Sequence, residues 1–147
     1  MGGKCGICGD PWGDSPREHE APGGRYANGI IAQTYKPGQI IDVNIEVTAN
    51  HKGYFIFRLC ANNNVKQDPD QECFDRLAHL LLMHILDNLL LFLFSYRNVL
   101  KVVPHMEDRF NLTTTSVGTY SLKLQLPGDV VCDQCILQVS KLRDFPS

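Results

Sequence analysis

The sequence predicts a mainly β protein, an antiparallel β-sandwich with long loops. Three observations lead there. Ile41, Val43, Ile45 and Val47 alternate with Asp42, Asn44, Glu46 and Thr48, a period of two that marks a strand with one buried face. Tyr54 to Cys60 sets Phe55, Phe57 and Leu59 on one face. Leu122, Leu124 and Leu126 alternate with Ser121, Lys123 and Gln125, the same period again.

In chain order, residues 1–29 read as loop. Gly2-Gly3, Gly9-Asp10-Pro11, Pro22-Gly23-Gly24 and Asn28-Gly29 crowd it with turn formers, which exclude a long helix. Cys5 and Cys8 are expected to pin this loop. Ile30–Tyr35 predicts a short strand, and Lys36-Pro37-Gly38-Gln39 a turn with proline and glycine at its centre. The strand at 41–48 and the strand at 54–60 are joined by the short, glycine-containing segment Ala49–Gly53, which predicts an antiparallel hairpin. Pro127-Gly128-Asp129 is a turn, and Cys135–Val139 one more strand.

Residues 77–103 break the pattern. From Leu80 to Phe94 the chain is leucine-rich on all sides, as in a helix that is buried or in lipid. A leucine-rich helix over about 77–96 is one reading; the other is a segment that does not belong to the folded domain. The run is shorter than the ~20 residues of a membrane span, and Asp87-Asn88 interrupts it. A span is not expected on those grounds.

Composition narrows the function classes. The chain has 147 residues, 44% hydrophobic and 20% charged, sizes and proportions of one globular domain. Its 14 basic and 16 acidic side chains leave a net charge of −2, without the basic balance that nucleic-acid binding requires. Six cysteines suit an oxidising compartment. So does the sequon Asn111-Leu112-Thr113, which marks Asn111 for glycosylation. No secretory signal is present near Met1, where the chain is polar and glycine-rich.

Cys5-Gly6-Ile7-Cys8 and Cys132-Asp133-Gln134-Cys135 are two CxxC pairs. They stand much farther apart than the ~15–20 residues of a zinc knuckle, and no βαβ context supports a redox motif. Disulfides are the better reading. Cys60 and Cys73 bracket a turn-rich loop and can pair; the remaining connectivity stays open. Among the histidines, His51 lies at a loop tip between predicted strands, a place for a metal ligand, although taken alone it reads as a solvated loop residue. His19, between Glu18 and Glu20, reads as a surface residue in a charged loop. His79 and His84 are five apart and miss the helical ligand spacing. No G-x-S-x-G, P-loop or H-E-x-x-H occurs. Trp12, Tyr26, Tyr35 and Tyr54 are candidate sugar-stacking rings, with packing the commoner role for any one of them.

Longer strings say more. GGKCGICGDPWGD at 2–14, HEAPGGRYANGIIAQTYKPGQIIDVNIEVTANHKGYFIFRLCANN at 19–63, QECFDR at 71–76 and LPGDVVCDQCILQ at 126–138 together resemble the arthropod lytic polysaccharide monooxygenases of auxiliary activity family fifteen. That group is often labelled chitin-binding type-4 domains. The resemblance covers about residues 2–76 and 120–138. It implies a secreted, monomeric copper enzyme with an immunoglobulin/fibronectin-like β-sandwich. It implies oxidative cleavage of glycosidic bonds at a chitin or cellulose surface, with oxygen or peroxide and an external electron donor. One copper ion is held there by a histidine brace, and imidazole nitrogen suits that metal. By position, His51 corresponds to the second brace histidine and Gln138 falls near the site. Cys5, Cys8, Cys60, Cys73, Cys132 and Cys135 stand where the family has disulfide cysteines.

The chain also departs from the family. It begins at Met1, inside the family's first third, without the amino-terminal brace histidine. Residues 77–103 are unlike the family, and 139–147 replace an aromatic-rich strand that carries the axial ligand, for which Phe145 is a poor substitute. The sequence therefore reads as a single partial domain over 1–147, an incomplete sandwich from a truncated or aberrantly spliced copy. With one imidazole, it is expected to hold copper weakly or not at all and to show little activity. The alternative function is a non-catalytic chitin- or polysaccharide-binding module.

Overall fold

Alternating residues become strands because each can bury one face. The computed structural model describes residues 5–64, 66–75 and 98–143. Its strands are β1 (Ile40–Val47), β2 (Gly53–Ala61), β3 (Lys101–Val103), β4 (Phe110–Leu112), β5 (Gly118–Gln125) and β6 (Cys135–Leu142), with one short helix, α1 (Gln71–Asp75). They form two three-stranded sheets among the described residues, in the orders β1-β5-β3 and β4-β2-β6. All pairings are antiparallel. The predicted β-sandwich is what forms.

The core lies between the sheets. Ile41 and Val47 of β1, Phe55 and Phe57 of β2, Leu112 of β4, and Leu122 and Leu124 of β5 make one buried cluster with Leu100. Phe57 and Leu124 are fully enclosed, at 0% exposure. Burying a side chain of that size stabilises the fold by about 1.5–3 kcal/mol. On the solvent face, Asp42 of β1 sits opposite Lys123 of β5 and accepts its ammonium hydrogen bond at 2.6 Å. Such an exposed pair contributes little.

The sheets are stitched where the chain changes layer. Asn98 and Leu100 bond to β2: the Leu59 N–H donates to the Asn98 carbonyl at 2.8 Å and the Leu100 N–H to the Phe57 carbonyl at 2.9 Å. The next residues, β3, pair with β5 in the other sheet. Leu100, at 1% exposure, is the buried pivot.

Helix α1 is fastened to β2. The Asp70 carboxylate caps it by accepting the Cys73 N–H at 2.9 Å. Phe74 is buried beneath it, and the Cys60–Cys73 disulfide links it to β2.

Three expectations are corrected. Residues 49–52 do not close a hairpin: β1 pairs with β5, while β2 pairs with β4 and β6. The segment crosses between layers instead, because each strand buries its apolar face against the other rather than lying edge to edge. Ile30–Tyr35 forms no strand. It has no pairing partner among the described residues and runs exposed over the surface, since its apolar residues are contiguous rather than alternating. The loop before residue 29 is not pinned by Cys5 and Cys8, which are free thiols.

Glu20 holds that loop instead. Its carboxylate, 9% exposed, accepts the Cys8 N–H at 3.3 Å and pairs with Arg17 at 2.8 Å. Gly6 packs so closely on it that a Cβ there would lie 1.8 Å from Glu20 Oε1.

The expected leucine-rich helix, with His79 and His84, lies outside the described residues, as does Phe145. No helix among the described residues is long and apolar enough to cross a membrane. Strand β6 runs on through Val139–Leu142, paired with β2 from Phe57 back to Tyr54.

Candidate functional site

The crossing from β1 to β2 presents His51 to solvent from a clamped backbone. Asn50, 8% exposed, is the clamp. Its side-chain amide donates to the Ser116 carbonyl at 2.6 Å, with the Thr114 carbonyl at 3.2 Å and the Tyr120 hydroxyl at 3.3 Å. Its own oxygen accepts the Lys52 N–H at 2.9 Å, the local turn that asparagine favours. One side chain thereby ties the loop to itself and to the turn leading into β5.

Two further contacts hold the loop's ends. The Lys141 ammonium of β6 donates to the Ala49 carbonyl at 2.9 Å. Lys52 has φ 62° and Gly53 has φ 93°, a left-handed turn in which glycine is favoured. Gly53 is also required by space: a Cβ there would stand 2.0 Å from the Leu142 carbonyl oxygen. His51 itself is exposed.

Three residues further along the chain is Tyr54, whose ring is covered by the Arg109 guanidinium at 4.9 Å and which faces Asn111 in the β2–β4 register. Asn111 is exposed, as a glycosylation acceptor must be.

Gln138 is not brought to this loop. It faces Arg58 in the register, four residues along β2 from Tyr54, or about 13 Å at strand rise. Its amide donates to the Ile7 carbonyl at 3.0 Å and to the Gln71 side-chain oxygen at 3.1 Å. It fastens the amino-terminal loop and α1 to the sheet.

The cysteines divide. Cys60–Cys73 and Cys132–Cys135 are disulfides, with Cα separations of 5.6 and 5.7 Å. Cys5 and Cys8 depart from the expected disulfide role and are free. Burial, with Asp68, Glu20 and Asp10 nearby, pushes the Cys8 thiol up to about 11. That makes it a poor nucleophile.

His19 does not take its sequence neighbours as partners. Glu20 is engaged by Arg17, and the His19 ring nitrogen Nδ1 meets Asp10 Oδ1 at 2.7 Å. The buried Asp10 also accepts the His19 N–H at 2.9 Å. These two hydrogen bonds, the side-chain one first, hold the Asp10 carboxyl below its ordinary value. The His19 ring stacks on Tyr26 at 5.0 Å, Arg25 lies over Tyr26 at 5.4 Å, and Arg17 covers Trp12 at 4.6 Å. No local sequence pattern announced the Asp10–His19 pair, nine residues apart across a loop, or the Asn50 bonds to Thr114 and Ser116, 64 and 66 residues away.

Among the described residues, no three His, Cys, Asp or Glu side chains converge to hold a metal. His51 there is one imidazole donor. A lone imidazole does not make a complete copper site.

A two-layer β-sandwich that carries an exposed histidine on a clamped inter-sheet loop is the class that fold and site define. The chain belongs to the lytic polysaccharide mono-oxygenase family: the family model described as "Lytic polysaccharide mono-oxygenase, cellulose-degrading" matches residues 1–144. The chain is also similar to a solved lytic polysaccharide monooxygenase AA15 from Thermobia domestica in the Cu(I) state. The two share 34% identity at a TM-score of 0.72, over 94% of this chain and 60% of that one. The chain thus spans 60% of the length of that structure. No curated protein matches it.

Proposed function

We propose that the protein serves copper-dependent oxidative cleavage of glycosidic bonds at a chitin or cellulose surface, outside the cell, with His51 as an imidazole ligand. The observation that carries this reading is the Asn50 clamp, which fixes the backbone on both sides of an exposed histidine. A ligand needs its position held before the metal arrives, since ordering it afterwards weakens binding. Copper would supply the redox chemistry, with electrons from an external donor. The residues of this chain supply an exposed imidazole on a backbone held from both sides.

The single imidazole of the His51 loop is expected to bind copper(II) weakly, and activity of this chain by itself is expected to be low. Electron paramagnetic resonance during a copper(II) titration tests the assignment. The expected result is a nitrogen-coupled signal that disappears in His51→Ala. An unchanged signal in that variant would remove His51 from the site.

A second reading is a polysaccharide-binding module without catalysis. Trp12 favours it: the ring is 57% exposed even with Arg17 over it, and an exposed aromatic ring can stack on sugars. A pull-down on insoluble chitin with and without chelator separates the two. Binding that ignores the chelator supports the module.

A further inference from the structure

The segment Ile30-Ile31-Ala32-Gln33-Thr34-Tyr35 is exposed at every residue and joins neither sheet. Its backbone is open. The Ile30 N–H donates to the Asn28 side-chain oxygen at 3.1 Å. The N–H groups of 31–35 and the carbonyls of 30–35 have no hydrogen-bond partner among the described residues. A row of unpaired backbone donors and acceptors is a template for an added strand.

The side chains fit that role. Ile30, Ile31, Thr34 and Tyr35 favour strands, and the segment holds no proline, glycine or charge. Ile31 is 51% exposed and Tyr35 43%. With Ile30 and Val131, also exposed, they line one concavity. Apolar surface is gathered here rather than scattered singly, as at an interaction site.

Charge selects what the segment pairs with. The nearest charged side chains along the chain are Arg25 and Lys36. A parallel, in-register copy would set Lys36 against Lys36, which is unfavourable. An antiparallel copy centred on Gln33 sets Lys36 opposite Ile30, Ile31 opposite Tyr35, and Gln33 opposite its own counterpart. No like charges meet in that register. The Ile31–Tyr35 match, β-branched against aromatic, is a favourable cross-strand pair and forms twice. The two copies are related by a two-fold axis, so the contact closes as a dimer instead of growing.

We propose that segment 30–35 is a self-association edge, along which two copies of this chain pair antiparallel about Gln33. The backbone groups of each copy satisfy those of the other, and the exposed isoleucine and tyrosine side chains are covered. The contact needs no metal, so it stands apart from the assignment of His51.

Sedimentation velocity over a concentration series, with backbone hydrogen exchange on the same samples, tests it. The expected result is a monomer–dimer equilibrium in which alternate amides within 31–35 gain protection as the dimer fraction rises. Gln33→Lys sets two ammonium groups face to face, and Gln33→Glu two carboxylates. Each should weaken the dimer by about fivefold. Mixing the two variants should restore association, because the opposite charges then meet across the two-fold axis. Circular dichroism checks that both variants fold, and position 33 is exposed in the monomer. A monomer at every concentration, or a dimer whose 31–35 amides exchange freely, would overturn the proposal. So would a folded Gln33→Lys dimer as tight as the parent, or a mixture no tighter than either variant alone.

Discussion

Asn50 and Ser116, 66 residues apart, are joined by a 2.6 Å hydrogen bond from side-chain amide to carbonyl. The bond couples the His51 loop to the turn before β5. Asn50→Ala removes these hydrogen bonds, although the Ser116 carbonyl keeps the Tyr120 hydroxyl at 2.7 Å, and should cost about 0.5–1.5 kcal/mol for each bond lost. Asn50→Asp keeps the acceptor for the Lys52 N–H but sets a carboxylate against the Ser116 and Thr114 carbonyls. It should be at least as damaging. Urea denaturation of the two variants checks this; an Asn50→Asp protein as stable as the parent would refute the clamp.

Gly53 and Gly23 share almost the same backbone angle, φ 93° and 92°. They differ in space: a Cβ meets the Leu142 oxygen at 2.0 Å in the first and nothing within 4 Å in the second. Gly23→Ala should therefore cost only the left-handed strain, about 1 kcal/mol. Gly53→Ala should cost clearly more and part the loop from β6. Thermal melts of both variants, compared side by side, measure the difference.

Phe57 and Val139 face each other in the β2–β6 register, yet their exposures are 0% and 43%. Truncating Phe57 to alanine should cost about 3–5 kcal/mol. Truncating Val139 should stay within about 0.5 kcal/mol. Equal losses at the two sites would mean that the β6 face is covered in solution.

Asp10 and Asp68 should give opposite pH dependence. The Asp10 pKa is lowered from 3.8 by its bonds to His19. Its contribution is present above 3.8 and lost as pH falls through the folded value. The Asp68 pKa is raised from 3.8, chiefly by burial. Its contribution is full below 3.8 and lost as pH rises through the folded value. Asp68→Asn should thus raise the melting temperature at neutral pH, while Asp10→Asn should lower it. Melting curves across the acid range, with both variants shifting in the same direction, would reject this assignment.

Asn111 faces Tyr54, three residues beyond His51. A glycan at Asn111 would stand beside the proposed polysaccharide-facing loop. Asn111→Gln should remove a mass increment from the protein made in a glycosylating host and strengthen its adsorption to insoluble chitin. Adsorption isotherms of glycosylated and unglycosylated protein decide the point.

Period-two alternation was enough to locate β1, β2 and β5, because a strand with one buried face writes itself into neighbouring residues, and the turn at Pro127–Asp129 pointed to β6 beyond it. The turn at Lys36–Gln39 was legible for the same local reason, and Gly38 adopts φ 74° there. The family could be read from its strings, and with it the role proposed for His51. Periodicity alone left His51 a solvated loop residue.

Tertiary structure decided the rest. Adjacent strands β1 and β2 entered different sheets because burying two apolar faces against each other outweighs pairing two neighbours edge to edge. Asn50 became the clamp of His51, Asp10 the partner of His19, and Glu20 rather than a disulfide the anchor of the first loop. Each of those polar side chains is buried, and a buried polar group takes whatever partner the fold brings near. Sequence distance is silent about that partner, since only the packed chain determines which donors and acceptors lose their water together.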